Sequence, residues 1–239
     1  MLAEAGEARV SPSEPRVAVI VALGVERRCL RGVGPRVALE QSGPGEARAA
    51  GAAARALAGG ARALVSFGLA GGLAADAAPG RLLLPRHVVT HDARRFSVEP
   101  RWHARLAAAL AAADIDVDER PLLAAAGVLT SADAKRAAGE LGAAAVDLES
   151  GAIAAAAERA AVPFAVIRAV ADGLDDELPA GVSGWVGPDG ETRIAPVLAA
   201  ALRPGSWGPL WTLARRYASA RRSLERAARS LSQEDFLFA

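Results

Sequence analysis

Short apolar runs alternate with alanine-rich runs of helical length along most of the chain, and this alternation narrows the fold more than any other feature. Val17, Val19, Ile20 and Val21 make Arg16 to Leu23 nearly continuous in apolarity, the pattern of a strand buried on both faces. Gly24 marks a turn, and Glu26 to Leu30 opens the next element. Arg36 to Gln41 reads as a shorter strand ending at Ser42-Gly43-Pro44-Gly45, and an alanine-rich helix runs from Glu46 to Leu57. Ala63 to Phe67 reads as a strand broken by the glycines of Gly68-Leu69-Ala70-Gly71-Gly72. Arg81 to Thr90 reads as a strand pair or one extended run. Trp102, Leu106 and Leu110 give Trp102 to Ala113 helical spacing. Ala126 to Leu129 and Ala143 to Val146 read as short strands, Gly151 to Ala161 as a helix, and Pro163 to Val170 as a strand leading into Ala171-Asp172-Gly173. Strands alternating with helices predict an α/β fold.

The chain has 239 residues, enough for one domain with a sizeable core. That domain is expected over residues 16–239. Residues 1–15 are small and polar and read as a flexible tail rather than a signal peptide. No run reaches the roughly 20 apolar residues of a spanning helix, so a cytoplasmic protein is expected. The glycine-rich stretch Gly181 to Arg193 receives no assignment. Cys29 is the sole cysteine, which excludes an intramolecular disulfide and a cysteine metal cluster; it reads as a core filler. Lys+Arg 28 against Asp+Glu 27, with 4% aromatic residues, argues against a nucleic-acid-binding surface. His87, His91 and His103 lack ligand spacing, so no metal is expected. Neither a Gly-x-Ser-x-Gly elbow nor a phosphate-binding loop ending in Gly-Lys-Ser/Thr is present.

Chemistry-bearing residues gather where strands are predicted to end, the place where open α/β sheets bind ligands. Glu26 follows the first strand and either orients a water or sits solvated in a first helical turn. The glycines from Gly68 to Gly72 either form a tight turn or let backbone amides approach a ligand. Asp147 reads as a helix cap. Glu149, two residues on, is either a first-turn acid or an acceptor for two neighbouring hydroxyls such as a ribose diol. Strand alternation would put Arg168, Val170 and Asp172 on one side. Asp172 is then either a proton donor in a pocket, or an acid that caps the next turn or pairs with Arg168. Arg27, Arg48 and Arg86 are candidate anion contacts.

Four segments in this order resemble the purine nucleoside phosphorylase and nucleosidase superfamily. They are Val21-Ala22-Leu23-Gly24-Val25-Glu26, Ser66-Phe67-Gly68-Leu69-Ala70-Gly71-Gly72-Leu73, Val146-Asp147-Leu148-Glu149-Ser150-Gly151-Ala152 and Val166-Ile167-Arg168-Ala169-Val170-Ala171-Asp172. The resemblance implies a single domain with a central twisted mixed β-sheet flanked by helices, assembled as a homodimer or larger homo-oligomer. It implies an enzyme that breaks the N-glycosidic bond of a nucleoside. Asp172 would protonate the leaving purine at N7, Glu149 would bind the ribose hydroxyls, and Glu26 would activate water. Gly68, Gly71 and Gly72 would line the ribose or anion side, with Phe67 and Leu148 as pocket residues. Leu148 stands where the family commonly has Met, which keeps apolar volume. The glycine-aspartate-proline-x-arginine phosphate pattern of the family's hexameric phosphorylases is missing near the first strand. Water is therefore favoured as acceptor, with inorganic phosphate as the other possible co-substrate and no further cofactor.

A closer similarity, carried by Ser42-Gly43-Pro44-Gly45-Glu46 and by Ala169 to Pro179, is to the hopanoid-associated phosphorylases. It implies adenine release from adenosylhopane, with methylthioadenosine or adenosylhomocysteine as the alternative substrates. Trp207, Leu210, Trp211, Ala214, Tyr217, Leu224, Ala228 and Leu231 give residues 207–232 a helical apolar face beside Arg215, Arg216, Arg221, Arg222, Arg226 and Arg229. That helix either rests on an acidic membrane, where a lipid-linked nucleoside would enter, or packs on the domain or a partner subunit. A catalytically inactive nucleoside-binding or regulatory protein is the alternative of another class.

Overall fold

The computed structural model describes residues 16–178, 184, 186–191, 207–232, 236 and 238. Residues 1–15 and, in the stretch Gly181 to Arg193, residues 181–183, 185, 192 and 193 lie outside the described residues. Among the described residues ten strands form one mixed sheet. In chain order the elements are β1 (Val17–Val21), α1 (Gly24–Cys29), β2 (Val37–Gln41), α2 (Glu46–Ala58) and β3 (Ala63–Gly72), followed by β4 (Leu82–Leu83), β5 (His87–Thr90), β6 (Arg95–Ser97) and α3 (Pro100–Ala112). Then come β7 (Val117–Asp118), β8 (Leu122–Ala124), α4 (Ala132–Gly139), β9 (Ala145–Asp147), α5 (Ser150–Arg159), β10 (Phe164–Asp172) and α6 (Trp207–Ser232).

The strand β3 is the hub. Its first residues run parallel to β1, with Val17 opposite Ala63, and to β10, with Phe164 opposite Leu64. Its last two residues, Gly71 and Gly72, pair antiparallel with Val146 and Ala145 of β9. One branch of the sheet continues from β1 to β2 and from β10 through β4 to β7; the other runs from β9 through β8 and β5 to β6. Every residue of β1 is buried, as its unbroken apolar run requires for an interior parallel strand. In α2 the buried residues are Ala49, Ala52, Ala53 and Ala56, the spacing of one helical stripe. This stripe packs α2 on α5, itself rich in buried alanine, and on β1. Pro100 opens α3, and the Glu99 carboxylate accepts from the amides of Arg101 at 3.0 Å and Trp102 at 2.5 Å, a strong N-terminal stop signal.

Several predicted boundaries change. The strand expected to break at the glycines runs through them to Gly72. Ala126 to Leu129 is not a strand; the ladder uses Leu122–Ala124 instead, and residues 127–130 form a loop. The helix α4 was hidden by a short, weakly patterned alanine segment. The C-terminal run does form a helix, and its face of Ala220, Leu224, Ala227, Ala228 and Leu231 is buried where α6 packs on β10, α1 and α3. Trp211, nearer its start, is exposed and carries Arg215 over its ring at 4.7 Å. No helix among the described residues is long and apolar enough to cross a membrane.

The glycines of β3 are there for room rather than for turning. A side chain at Gly72 would put its Cβ 2.5 Å from the Ala77 carbonyl oxygen, a backbone atom that cannot swing away. Gly72→Ala is expected to lower stability by about 1–3 kcal/mol, the usual range for overpacking, read as an earlier midpoint in urea unfolding.

Candidate active site

The carboxyl ends of β1, β3 and β10, the start of α5 and the loop before α4 enclose a cavity of about 240 Å³. Its walls include Glu26, Glu149, Asp172, Leu148 and Gly71, so five of the residues singled out in the sequence converge there. Leu23, Leu69, Val128, Leu129 and Leu178 make the remainder largely apolar.

Glu26 lies in the first turn of α1 and is buried. Its Oε2 accepts from the amides of Ala22 at 2.9 Å and Leu23 at 2.8 Å, and its Oε1 accepts from Leu69 at 2.8 Å. The short helix thus uses its own third-position acid to satisfy the turn before it. Burial pushes the Glu26 pKa above the ordinary glutamate value, while Arg168 and the three amides pull it back. Gly68 is the space for this arrangement: an added Cβ would sit 2.4 Å from Glu26 Oε1 and 2.5 Å from Arg168 Nη1.

Glu149 stands where β9 gives way to α5. Its Oε1 accepts from the amide of Gly45 at 2.8 Å, tying it to the start of α2. Burial pushes its pKa up to about 7; Arg168 opposes this, and Asp147 and Glu26 add to it. Asp147 caps α5 by accepting from the Ser150 amide at 3.2 Å, as expected. It also holds Arg168 at 2.6 Å.

Of the alternatives open for Asp172, a pair with Arg168 does not form: Arg168 is fully buried among the other acids. Its Nη2 is 2.6 Å from Asp147 and 3.8 Å from Glu149, and donates to Ser66 Oγ at 2.6 Å. Strict alternation along β10 fails because the register with β3 shifts between Val170 and Asp172. A bulge of this kind re-aims the side chain that follows it. Asp172 pairs instead with Lys135 of α4, a residue that the sequence did not flag. Burial pushes the Asp172 pKa up and the Lys135 ammonium draws it back down.

The other candidates stay outside the cavity wall. Phe67 is fully buried in the core. Gly68 and Gly72 act as spacers behind the wall. The three arginines do not converge: Arg27 donates to the Leu39 carbonyl at 3.2 Å, Arg48 to the Pro44 carbonyl at 3.0 Å, and Arg86 pairs with Glu119 at 2.7 Å. An anion site built from them is therefore corrected, since each guanidinium is exposed and spent locally. Cys29 is buried, and its thiol pKa is pushed up to about 11 by burial, which suits a core filler. Among the described residues no group of acids, histidines or cysteine is arranged to hold a metal ion.

The raised pKa of Glu149 has a thermodynamic signature. The folded state holds the proton more tightly than the unfolded chain, so the stability it brings is complete below about 4.5 and is lost as pH rises towards about 7. Glu149→Gln is expected to flatten this part of the stability profile, measured by urea unfolding at a series of pH values. A profile as steep as that of the unsubstituted protein would show that Glu149 does not titrate in this window.

The chain matches no curated protein by sequence. Solved structures share its fold. The futalosine hydrolase of Helicobacter pylori superposes with a TM-score of 0.70 at 15% identity, over 95% of this chain and 99% of that one. The 5′-methylthioadenosine/S-adenosylhomocysteine nucleosidase of the same organism gives 0.70 at 15% identity, over 92% and 97%. The corresponding nucleosidase of Neisseria meningitidis gives 0.63 at 20% identity, over 90% and 99%. The model of the phosphorylase superfamily matches residues 30–203, well over half of the chain, and the protein is an enzyme of that superfamily.

Proposed function

We propose that the protein splits the N-glycosidic bond of an adenine nucleoside with water as the acceptor. The observation that carries this reading is the convergence of Glu26, Glu149 and Asp172 on one cavity. Breaking the bond leaves positive charge on the sugar and negative charge on the base. Carboxylates beside the sugar favour the first, and a proton delivered to the base neutralises the second. Asp172 supplies that proton to N7. Glu149 has lone pairs free beyond its bond to Gly45 and accepts from the ribose hydroxyls. Glu26 accepts three amide bonds, which leaves about one of a carboxylate's four acceptor positions for a water.

Water is favoured over phosphate by charge. Arg168, which does not line the cavity, is held by Asp147 of the cavity wall at 2.6 Å. A phosphate dianion placed near Glu26 and Glu149 would meet like charge, and the surface arginines turn elsewhere.

Relatives in fold that are named for methylthioadenosine and adenosylhomocysteine, or for futalosine, speak for a nucleoside modified at the far end of its sugar. The apolar walls of Leu23, Val128, Leu129 and Leu178 suit such a substituent. None of these relatives is named for adenosylhopane, so methylthioadenosine or adenosylhomocysteine is preferred here.

Two measurements test the proposal. Methylthioadenosine is expected to release adenine at a rate that inorganic phosphate does not change; a strict need for phosphate overturns the hydrolytic reading, and turnover of adenosylhopane alone overturns the substrate. Asp172→Asn is expected to slow adenine release by about 10²–10⁴-fold, the range for general acid catalysis, with unchanged circular dichroism.

A further inference from the structure

One charged group beside the cavity has no part in the mechanism so far. Lys135 is 1% exposed, and its Nζ donates to Asp172 Oδ2, to the Gly173 carbonyl at 2.8 Å and to the Asp176 carbonyl at 2.9 Å. Those three acceptors saturate an ammonium. Removing such a charge from water costs several kcal/mol unless it is paired and hydrogen-bonded, so this is a built position. The composition makes the same point independently. Lys135 is the only lysine in the chain, the rest of the 28 basic residues being arginine. A planar guanidinium fork cannot aim three donors from one nitrogen at three converging acceptors, whereas an ammonium can.

The surroundings hold this contact in place. Asp176 Oδ2 accepts from the Gly173 amide at 2.7 Å, and Arg216 of α6 pairs with Asp176 at 2.6 Å. Arg136 of α4 reaches Asp175 at 2.5 Å. Three acids at the end of β10 and in the turn after it thus go to separate cations: Asp172 to Lys135, Asp175 to Arg136 and Asp176 to Arg216. The charged groups that act on Asp172 are Lys135 from α4, Asp176 from the turn and Arg216 from α6.

We propose that Lys135 is the positioning residue of the leaving-group acid: its ammonium orients Asp172 and makes it a stronger acid, and so sets both the rate of base release and its alkaline limit. This rests on the reading of Asp172 as that acid. As the bond from C1′ to N9 breaks, its electron pair stays with the base and the Asp172 proton passes to N7. The carboxylate left behind is matched at once by the Lys135 charge. A stronger acid gives up its proton more readily in the transition state. It also loses that proton to solvent at lower pH, which brings the alkaline limit down. Rate and limit are thus linked with opposite signs, a link that a purely structural lysine would not create.

The test is the pH profile of kcat and kcat/KM for adenine release from methylthioadenosine by the full chain, with circular dichroism on each variant. Lys135→Met and Lys135→Gln are expected to lower the plateau of kcat at least tenfold. They are also expected to move the alkaline limb of kcat/KM up by about one pH unit or more, the scale of an opposite charge at contact distance. Lys135→Arg, which keeps the charge, is expected to leave the limb where it is. A folded uncharged variant whose limb does not move overturns the inference, whatever happens to its rate. Asp172→Asn separates the two claims: full turnover in that variant defeats the acid reading itself, whereas a slow variant beside an unmoved limb in Lys135→Met defeats only the role of the lysine.

Discussion

The side of the cavity formed by Glu26, Asp147 and Glu149 depends on one buried guanidinium, that of Arg168. Asp147, Glu149 and Glu26 all act on Arg168, and all four residues are buried. Carboxylates so placed without a cation would have to take up protons, because burial penalises their charge. The geometry of Arg168 also divides the labour among them. Its Nη2 lies 2.6 Å from Asp147 and 3.8 Å from Glu149. Asp147 therefore receives most of the charge compensation and serves as the fixed anion that caps α5. Glu149, held less closely, keeps a pKa near 7 and retains acceptor capacity on the cavity side.

A second cation, Lys135, holds Asp172, and the separation of the two cations follows from β10. This strand supplies both Arg168 and Asp172, four residues apart. In a regular strand the two would share a side, though about 13 Å apart. The register shift between Val170 and Asp172 changes where the second is aimed. Arg168 goes to the acids at the starts of α1 and α5, and Asp172 goes to Lys135. Asp172 is thereby kept apart from the three acids around Arg168, although Arg168 and Asp172 belong to one strand.

Much of this was legible in the chain. The buried β1 and β10 followed from unbroken apolar runs, and Glu26, Glu149 and Asp172 were visible as acids at strand ends, where ligands collect in such sheets. What stayed hidden has a physical cause in each case. Gly68, Gly71 and Gly72 read as a break because glycine usually signals a turn, whereas here the missing side chains clear space for Glu26, Arg168, Asp172 and the Ala77 carbonyl. The bulge in β10 leaves no local mark in Val170-Ala171-Asp172. Lys135 sits in a short alanine-rich segment and looks like any solvated lysine until α4 is placed against the turn after β10. Arg86 looked like an anion contact because its partner Glu119 lies far from it in the chain.

The abundance of alanine, which carries no chemistry of its own, is part of how the site is assembled. The buried stripe of α2 is all alanine, and it packs on α5, whose buried residues include Ala152, Ala154, Ala156 and Ala157. Small side chains let two helices approach closely, so the starts of both are brought together. At that junction the Gly45 amide, at the start of α2, donates to Glu149, at the start of α5. Two helix N-termini then act on one carboxylate, each favouring its anion, against the burial that favours its proton. Larger residues in the stripe would push the helices apart, and Glu149 would lose the Gly45 amide before it lost anything visible in its own sequence neighbourhood. The site is thus tuned by packing between surfaces that contain none of its functional groups.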